Sequence, residues 1–435
     1  MRIYNRRYEK LAREEIEQIQ LERLQSTVQR AFKNIPFYQN EMKTRSLLPT
    51  DITDVSDLAG FGFTTRDDLG YNYPYGLFAV PLRDIVRINS ISGMAGKPTV
   101  VGFTKNDLGV WIELLSRLYY SSGITADDIV QISFVFGLAN WGRGMAAAAE
   151  NIEASVIPMS FLNPEKEIMI MADYKTTCLV STPSHALHLA GLFHELGIDP
   201  DKLPLKRAIL VSEPISPEMR DRIAEGLGIT VSSGYGIPEV MGPGIAYECS
   251  AGRLHVAEDH FIAEIIDPQT GQPVEEGSEG ELVVTTITTK AYPLIRFRTG
   301  DITSFIRDDV CRCGRTLRAV TAPTKRADDA LSIRGVKIYP SQIERIIKAA
   351  LGEIPPYVVV LYRVKDLDEL DILIEEVESL FSDEIKILER MIAKIRDDLW
   401  EILGIRANIK LVEHVTMKEV KGESRVIMRN HTMKE

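Results

Sequence analysis

Apolar residues recur at helical spacing over residues 8–33, with Leu11, Ile16, Ile19, Leu24 and Val28 along one side. The pattern predicts an amphipathic helix packed on the main body. From about residue 85 to residue 290 short β-rich runs alternate with longer helical segments. DIVQISFVF, ASVIP, TTCLVSTP, RAILVSEP and ITVSSGYG read as buried strands ending at Gly, Pro or Ser, with SHALHLAGLFHELG and ISPEMRDRIAEGLG as helices between them. That alternation predicts an α/β body with a largely parallel sheet. Such folds hold ligands at the carboxyl ends of their strands, where these small-residue turns fall.

Two later stretches change the pattern. Residues 261–307 run strand, turn, strand, with PQTGQP and EEGSEG as turn signals, and predict a β-rich antiparallel appendage. After about residue 325, IRGVKIYPSQIERIIKAAL, PYVVVLYRV, ELDILIEEVE, a long helix over 382–403 and ANIKLVEHV predict a small α+β domain. The boundary is placed at KRADD, residues 325–329, giving domains over 1–325 and 326–435.

Composition narrows the class. The chain has 435 residues, enough for two to three domains at roughly 150 residues each. Its net charge is −11 with no basic tract, which argues against duplex nucleic acid as a partner. The charged amino-terminal stretch does not read as a secretory signal. No run of about 18 apolar residues suggests a membrane span. The expectation is a cytoplasmic protein without disulfides, so its cysteines point to metal or to inert thiols.

Four stretches carry candidate chemistry. SGMAGKPTVVGFT, residues 92–104, is a glycine-containing loop whose amides, with Lys97, suit an anion, although a surface hairpin turn reads similarly. SSGYGIPEVMGPG places Glu239 after a strand, where it suits a magnesium ion or plain solvent. PLIRFRTGDIT ends a strand with Arg298 and Asp301; such an acid accepts ribose hydroxyls or closes a structural turn. Cys249, His255, Cys311 and Cys313 offer three thiolates and an imidazole, a donor set for a tetrahedral structural zinc, with buried reduced thiols as the alternative. Cys178, in the apolar run TTCLVSTP, reads as core.

YGIPEVMGPGIAYEC, PLIRFRTGD, C-x-CGR and IRGVKIYPSQIE together resemble the phenylacetate–coenzyme A ligase family of AMP-forming adenylating enzymes. LERLQSTVQRAFKNIPFYQ and FTTRDDLGYNYPYGLFAVP extend the resemblance to nearly the whole chain, from about residue 8 to 430. It implies a large adenylating domain, a mobile small domain and two steps. A carboxylate attacks the ATP α-phosphate; the coenzyme A thiolate then displaces AMP from the acyl-adenylate. By similarity Ser92, Gly93, Gly96 and Lys97 form the phosphate loop, and Glu213, Pro214, Tyr235 and Gly236 lie by the adenine. Glu239 would hold magnesium, Asp301 the ribose, and Gly335 would face the pantetheine arm. Arg326, with Asp328 and Asp329, matches the hinge. Phe136, Ala139 and Trp141 match the acid pocket, and Cys249, His255, Cys311 and Cys313 a zinc site near 249–313. Members are often homodimers.

The chain departs from the family chiefly in its nucleotide motifs. Ile91, Met94 and Ala95 stand where hydroxyl residues are usual, Val211 where a glycine is, and Ser233 where an acid is. Gly422 takes the place of the carboxyl-terminal lysine, leaving Lys421 one residue earlier. Trp141 stands where a glycine is usual; it reads as core packing or, if it lines the acid pocket, as a sign that the substrate is not phenylacetate. Three readings follow: a working carboxylate–coenzyme A ligase, a paralogue that has lost adenylation, or an adenylyltransferase acting on a cofactor without coenzyme A.

Overall fold

The computed structural model describes residues 3–91, 97–134, 139–160, 163–307, 310–364, 367–375, 385–412 and 426–428. The amino-terminal helix runs Arg13–Asn34 and buries Ile16, Leu24 and Val28, three of the five residues singled out by their spacing. It stops at Asn34 because Ile35 precedes Pro36 and is held extended.

The five strand-like runs form consecutive parallel neighbours, in spatial order Ser155–Ser160, Ile129–Phe134, Cys178–Ser181, Arg207–Leu210 and Thr230–Tyr235. Three antiparallel strands, Ala246–Glu248, Leu254–Val256 and Ala319–Val320, extend this sheet to eight. Helices cover both faces. Apolar residues of the amino-terminal helix, of Lys105–Ser121 and of Ala139–Asn151 fill one core; Pro183–Glu195 and Pro217–Leu227 fill a second. Cys178 lies fully buried in the first, and burial pushes its thiol well up, so it is inert packing.

The expected β-rich appendage is a four-stranded antiparallel sheet of Phe261–Ile266, Gly280–Thr286, Phe297–Thr303 and Lys325–Arg326. Lys325–Arg326 thus pairs with the large body, whereas the hairpin Leu331–Ile333/Val336–Ile338 packs into a separate carboxyl-terminal core. That core is shared by the helix Pro340–Leu351 and a four-stranded sheet in which Leu367–Glu375 pairs antiparallel with Tyr357–Val364 and parallel with Asn408–Val412. The fold is therefore α/β, with a largely parallel main sheet and a small α+β carboxyl-terminal part. The helix expected over 382–403 is α-helical over Ile385–Asp398 and then widens into a π turn, Leu399–Leu403, closed by Gly404 at φ +69°. This turn ends at the cleft described next.

Candidate active site

A cavity of about 410 Å³ opens at the carboxyl end of the parallel sheet, between the large body and two pieces of the small one: the hairpin 331–338 and the turn Trp400–Gly404. One wall is aromatic. Phe103 and Trp111 stack at 5.4 Å with their planes 13° apart, and Trp141 stands with them in the cavity lining. Trp141 is also 7% exposed, so it serves core and cleft together.

Glu239 and Lys337 bring charge to the lining, and they join the cleft to a charged corner around Asp301 and Arg66. Tyr235, last residue of its strand, donates its hydroxyl to Asp301 Oδ2 at 2.7 Å. Arg326 donates to Asp301 Oδ1, and Lys337 Nζ stands 3.4 Å from Oδ2. Burial alone would raise the Asp301 pKa; Lys337, Arg326 and the Tyr235 hydroxyl outweigh it and hold the carboxyl below its ordinary range. Burial and the adjacent carboxylate push the Tyr235 phenol well up. Gly236 follows, and a Cβ there would fall 2.6 Å from Gly242 Cα, so only glycine fits that turn.

Arg66 ties the corner together. Its Nε donates to Glu239 Oε1 at 2.8 Å, one terminal nitrogen to the Thr299 carbonyl at 2.8 Å and the other to Asp328 Oδ2 at 3.3 Å. Burial works against its charge, but Glu239, Tyr339 and Asp328 raise its pKa overall. Among the described residues Glu239 Oε2 is buried without a hydrogen-bond partner, which leaves one carboxylate oxygen for a ligand.

Glu213 follows the lining residue Ser212 in the chain but is not itself in the cavity lining. Its carboxylate accepts from Ser184 N at 2.8 Å and Ser184 Oγ at 2.7 Å, and burial pushes its pKa up to about 7. Pro214 is exposed. Ser212, at φ +81°, lines the cleft and donates its hydroxyl to the Gly335 carbonyl at 2.9 Å, joining large and small parts. Val211 is not in the cavity lining; it packs beneath Gly234, its Cγ1 3.4 Å from where a Cβ would stand. Ser233 is held by Glu248, whose Oε2 accepts from both its amide and its hydroxyl at 2.7 Å.

Lys97 is exposed, its Nζ 5.6 Å from the centre of the Tyr73 ring. Ser92, Gly93, Gly96, Phe136 and Lys421 lie outside the described residues, as do Met94, Ala95 and Gly422. Ala139 begins the helix Ala139–Asn151. Arg66, Ser212 and Lys337 had no signal in the sequence beyond their motifs, since their partners come from distant segments.

The thiol cluster is compact. The ligand atoms of Cys249, His255, Cys311 and Cys313 all lie within 4.8 Å of one another, and all four residues are buried. Cys249 Sγ and Cys311 Sγ are 3.8 Å apart. That matches the edge of a tetrahedron with metal–sulfur bonds of about 2.3 Å. Cys313 Sγ is 3.3 Å from His255 Nε2. His255 Nδ1 is 2.7 Å from the Leu317 carbonyl, which can only accept, so Nδ1 carries the proton and Nε2 keeps its lone pair for a metal.

Comparison with known proteins gives this geometry its context. Residues 119–291 match the family model described as AMP-binding enzyme, and residues 335–430 the one described as AMP-binding enzyme C-terminal domain. The chain is 37% identical over 421 residues to phenylacetate-coenzyme A ligase of Thermus thermophilus, covering 93% of this chain and 94% of that protein. To its Escherichia coli namesake it is 35% identical, covering 94% of each. The solved 2-hydroxyisobutyryl-CoA ligase is 26% identical. In its thioesterification state, with 2-HIB-AMP and CoA, it superposes with a TM-score of 0.88 over 98% of this chain and 92% of that one. Its open conformation, over 97% and 93%, gives 0.69, and a postadenylation state, over 97% and 91%, gives 0.68.

Proposed function

The chain belongs to the phenylacetate–coenzyme A ligase family of AMP-forming enzymes, and from that premise we propose that it activates an aromatic or small carboxylic acid through an acyl-adenylate. It is an AMP-forming acid–thiol ligase: ATP, acid and coenzyme A give acyl-CoA, AMP and pyrophosphate. The observation that carries the substrate class is the cleft itself. The aromatic wall of Phe103, Trp111 and Trp141 suits a flat apolar acyl group, and the same cleft is lined by Lys337, which reaches the Tyr235–Asp301 pair.

In this reading Asp301 accepts the ribose hydroxyls, with Tyr235 fixing its orientation. Gly236 passes close to the adenine, and Glu213 and Pro214 lie behind it. Ser92, Gly93, Gly96 and Lys97 surround the phosphates. Lys421 takes the role of the family lysine, and Gly335 lines the path of the thiol. The domains, 1–325 and 326–435, meet at residues 325–329, with Arg326 as hinge. Magnesium fits the unpaired oxygen of Glu239, and when bound it offsets phosphate charge. The buried S₃N donor set suits a structural zinc, whose four protein ligands leave no open position. A cytoplasmic location and a homodimer complete the proposal. Among the described residues no helix is long and apolar enough to cross a membrane.

Met94, Ala95 and Gly422 favour one rival, a paralogue that no longer adenylates. Exchange of labelled pyrophosphate into ATP separates the two. Exchange that requires one aromatic or small acid, and no coenzyme A, is expected. No exchange with any acid of a broad panel overturns the ligase reading.

A further inference from the structure

The hairpin Leu331–Ile333/Val336–Ile338 turns on Arg334 and Gly335, both at positive φ, and pairs Ser332 with Lys337. Side chains alternate across a strand. Leu331, Ile333 and Ile338 are buried in the core of the small domain. Ser332 and Lys337 therefore face the other way, and Lys337 lines the cleft. An ammonium has three donors. Among the described residues the only hydrogen-bond acceptor of Lys337 is Asp301, at 3.4 and 3.5 Å. Both contacts are longer than the roughly 2.7–3.2 Å of a well-made N–H···O bond. Two further polar groups nearby are also unspent: Glu239 Oε2 and Ser332 Oγ are buried without partners among the described residues. Arg66, Arg326 and Glu239 are the other charged groups that face Lys337. Arg66 and Arg326 are committed to carboxylates and to the Thr299 carbonyl. Among the described residues Lys337 is the cation of this corner with donors left over.

We propose that Lys337 is carried into the nucleotide site by the small domain and that its ammonium contacts the phosphate of the bound adenylate. The inference rests on the ligase reading and adds to it a residue that touches the reacting group. A ribose held at Asp301 places its 5′-phosphate within one sugar ring of that carboxylate, inside the reach of a lysine. In the thioester step the thiolate sulfur bonds to the acyl carbon and the bond from that carbon to the phosphate oxygen breaks. The electron pair leaves with AMP, whose phosphate gains a negative charge. Lys337 keeps its proton and offsets that charge.

Calorimetry with AMP and with adenosine, on the full chain, tests this. Lys337→Met is expected to weaken AMP binding by about tenfold or more, the worth of a lost charge-assisted hydrogen bond, and to weaken adenosine binding far less, since Tyr235 and Arg326 still hold Asp301. Lys337→Arg should retain AMP binding, and Lys337→Gln should behave as Lys337→Met, so that misfolding of one variant does not decide the outcome. Equal AMP affinity in wild type and Lys337→Met overturns the proposal. So does a parallel loss for AMP and adenosine, which would mean that Lys337 only positions Asp301. A wild-type protein that binds neither ligand overturns the ligase reading itself and this proposal with it.

Discussion

Arg66 and Glu239 are 173 residues apart in the chain and meet at 2.8 Å, both largely buried. The pair joins the segment following the amino-terminal helices to the loop after the last parallel strand. Removing one partner leaves the other charge buried alone, which costs about 3–5 kcal/mol. Arg66→Ala should lose stability of that order in urea unfolding. Arg66→Ala combined with Glu239→Gln should lose less than the single variant. A single-variant loss below about 1 kcal/mol would show the pair to behave as a solvated one.

Tyr235 and Asp301 make a second such link. A hydrogen bond to a charged group is worth about 1.5–3 kcal/mol. Arg326 and Lys337 also hold Asp301, so Tyr235→Phe should fall at the lower end. Asp301→Asn should reduce adenosine affinity more than Tyr235→Phe does, because it weakens the acceptor itself. Calorimetry that ranks the two variants the other way would count against Asp301 as the ribose acceptor.

Glu213 predicts a pH dependence. Its pKa rises from 4.5 to about 7 in the folded protein, chiefly through burial, with Asp368 also raising it and Ser184 and Thr182 opposing. The native state therefore holds a proton that the unfolded chain has released across that window. This contribution to stability is present below the unfolded value and is lost as pH rises toward about 7. Glu213→Gln should flatten the fall in melting temperature over that window and melt higher than wild type above it. Parallel melting curves for the two proteins would refute the assignment.

The thiol cluster predicts bound zinc. Elemental analysis after purification without chelators should find stoichiometric metal, and Cys311→Ser should lower both metal content and melting temperature. None of the four residues lines the cleft, so turnover per folded molecule should persist. Zinc far below stoichiometry in wild type would leave Cys249, Cys311 and Cys313 as reduced thiols beside a neutral His255.

The parallel strands were legible because each is a short apolar run closed by a small-residue turn, and buried parallel strands carry that signature. Tyr235, Asp301 and the thiol cluster were legible because their neighbours within each motif are diagnostic. Arg66 and Lys337 were not. Each lies in a recognisable stretch, but its role comes from contacts across the fold, Arg66 to Glu239 and Lys337 to Asp301. Val211 shows the converse: a substitution conspicuous in the motif turns out to pack under Gly234, away from the cleft. The π turn at Leu399–Leu403 was also hidden, since helical spacing alone does not show where a helix widens.

The measurement that bears most directly on the central claim is product analysis of ATP with a panel of aromatic and small acids, with and without coenzyme A. The account predicts AMP and acyl-CoA formed in equal amounts, and only when acid and coenzyme A are both present. Absence of AMP with every acid, or AMP retained covalently on a product without coenzyme A, would contradict it.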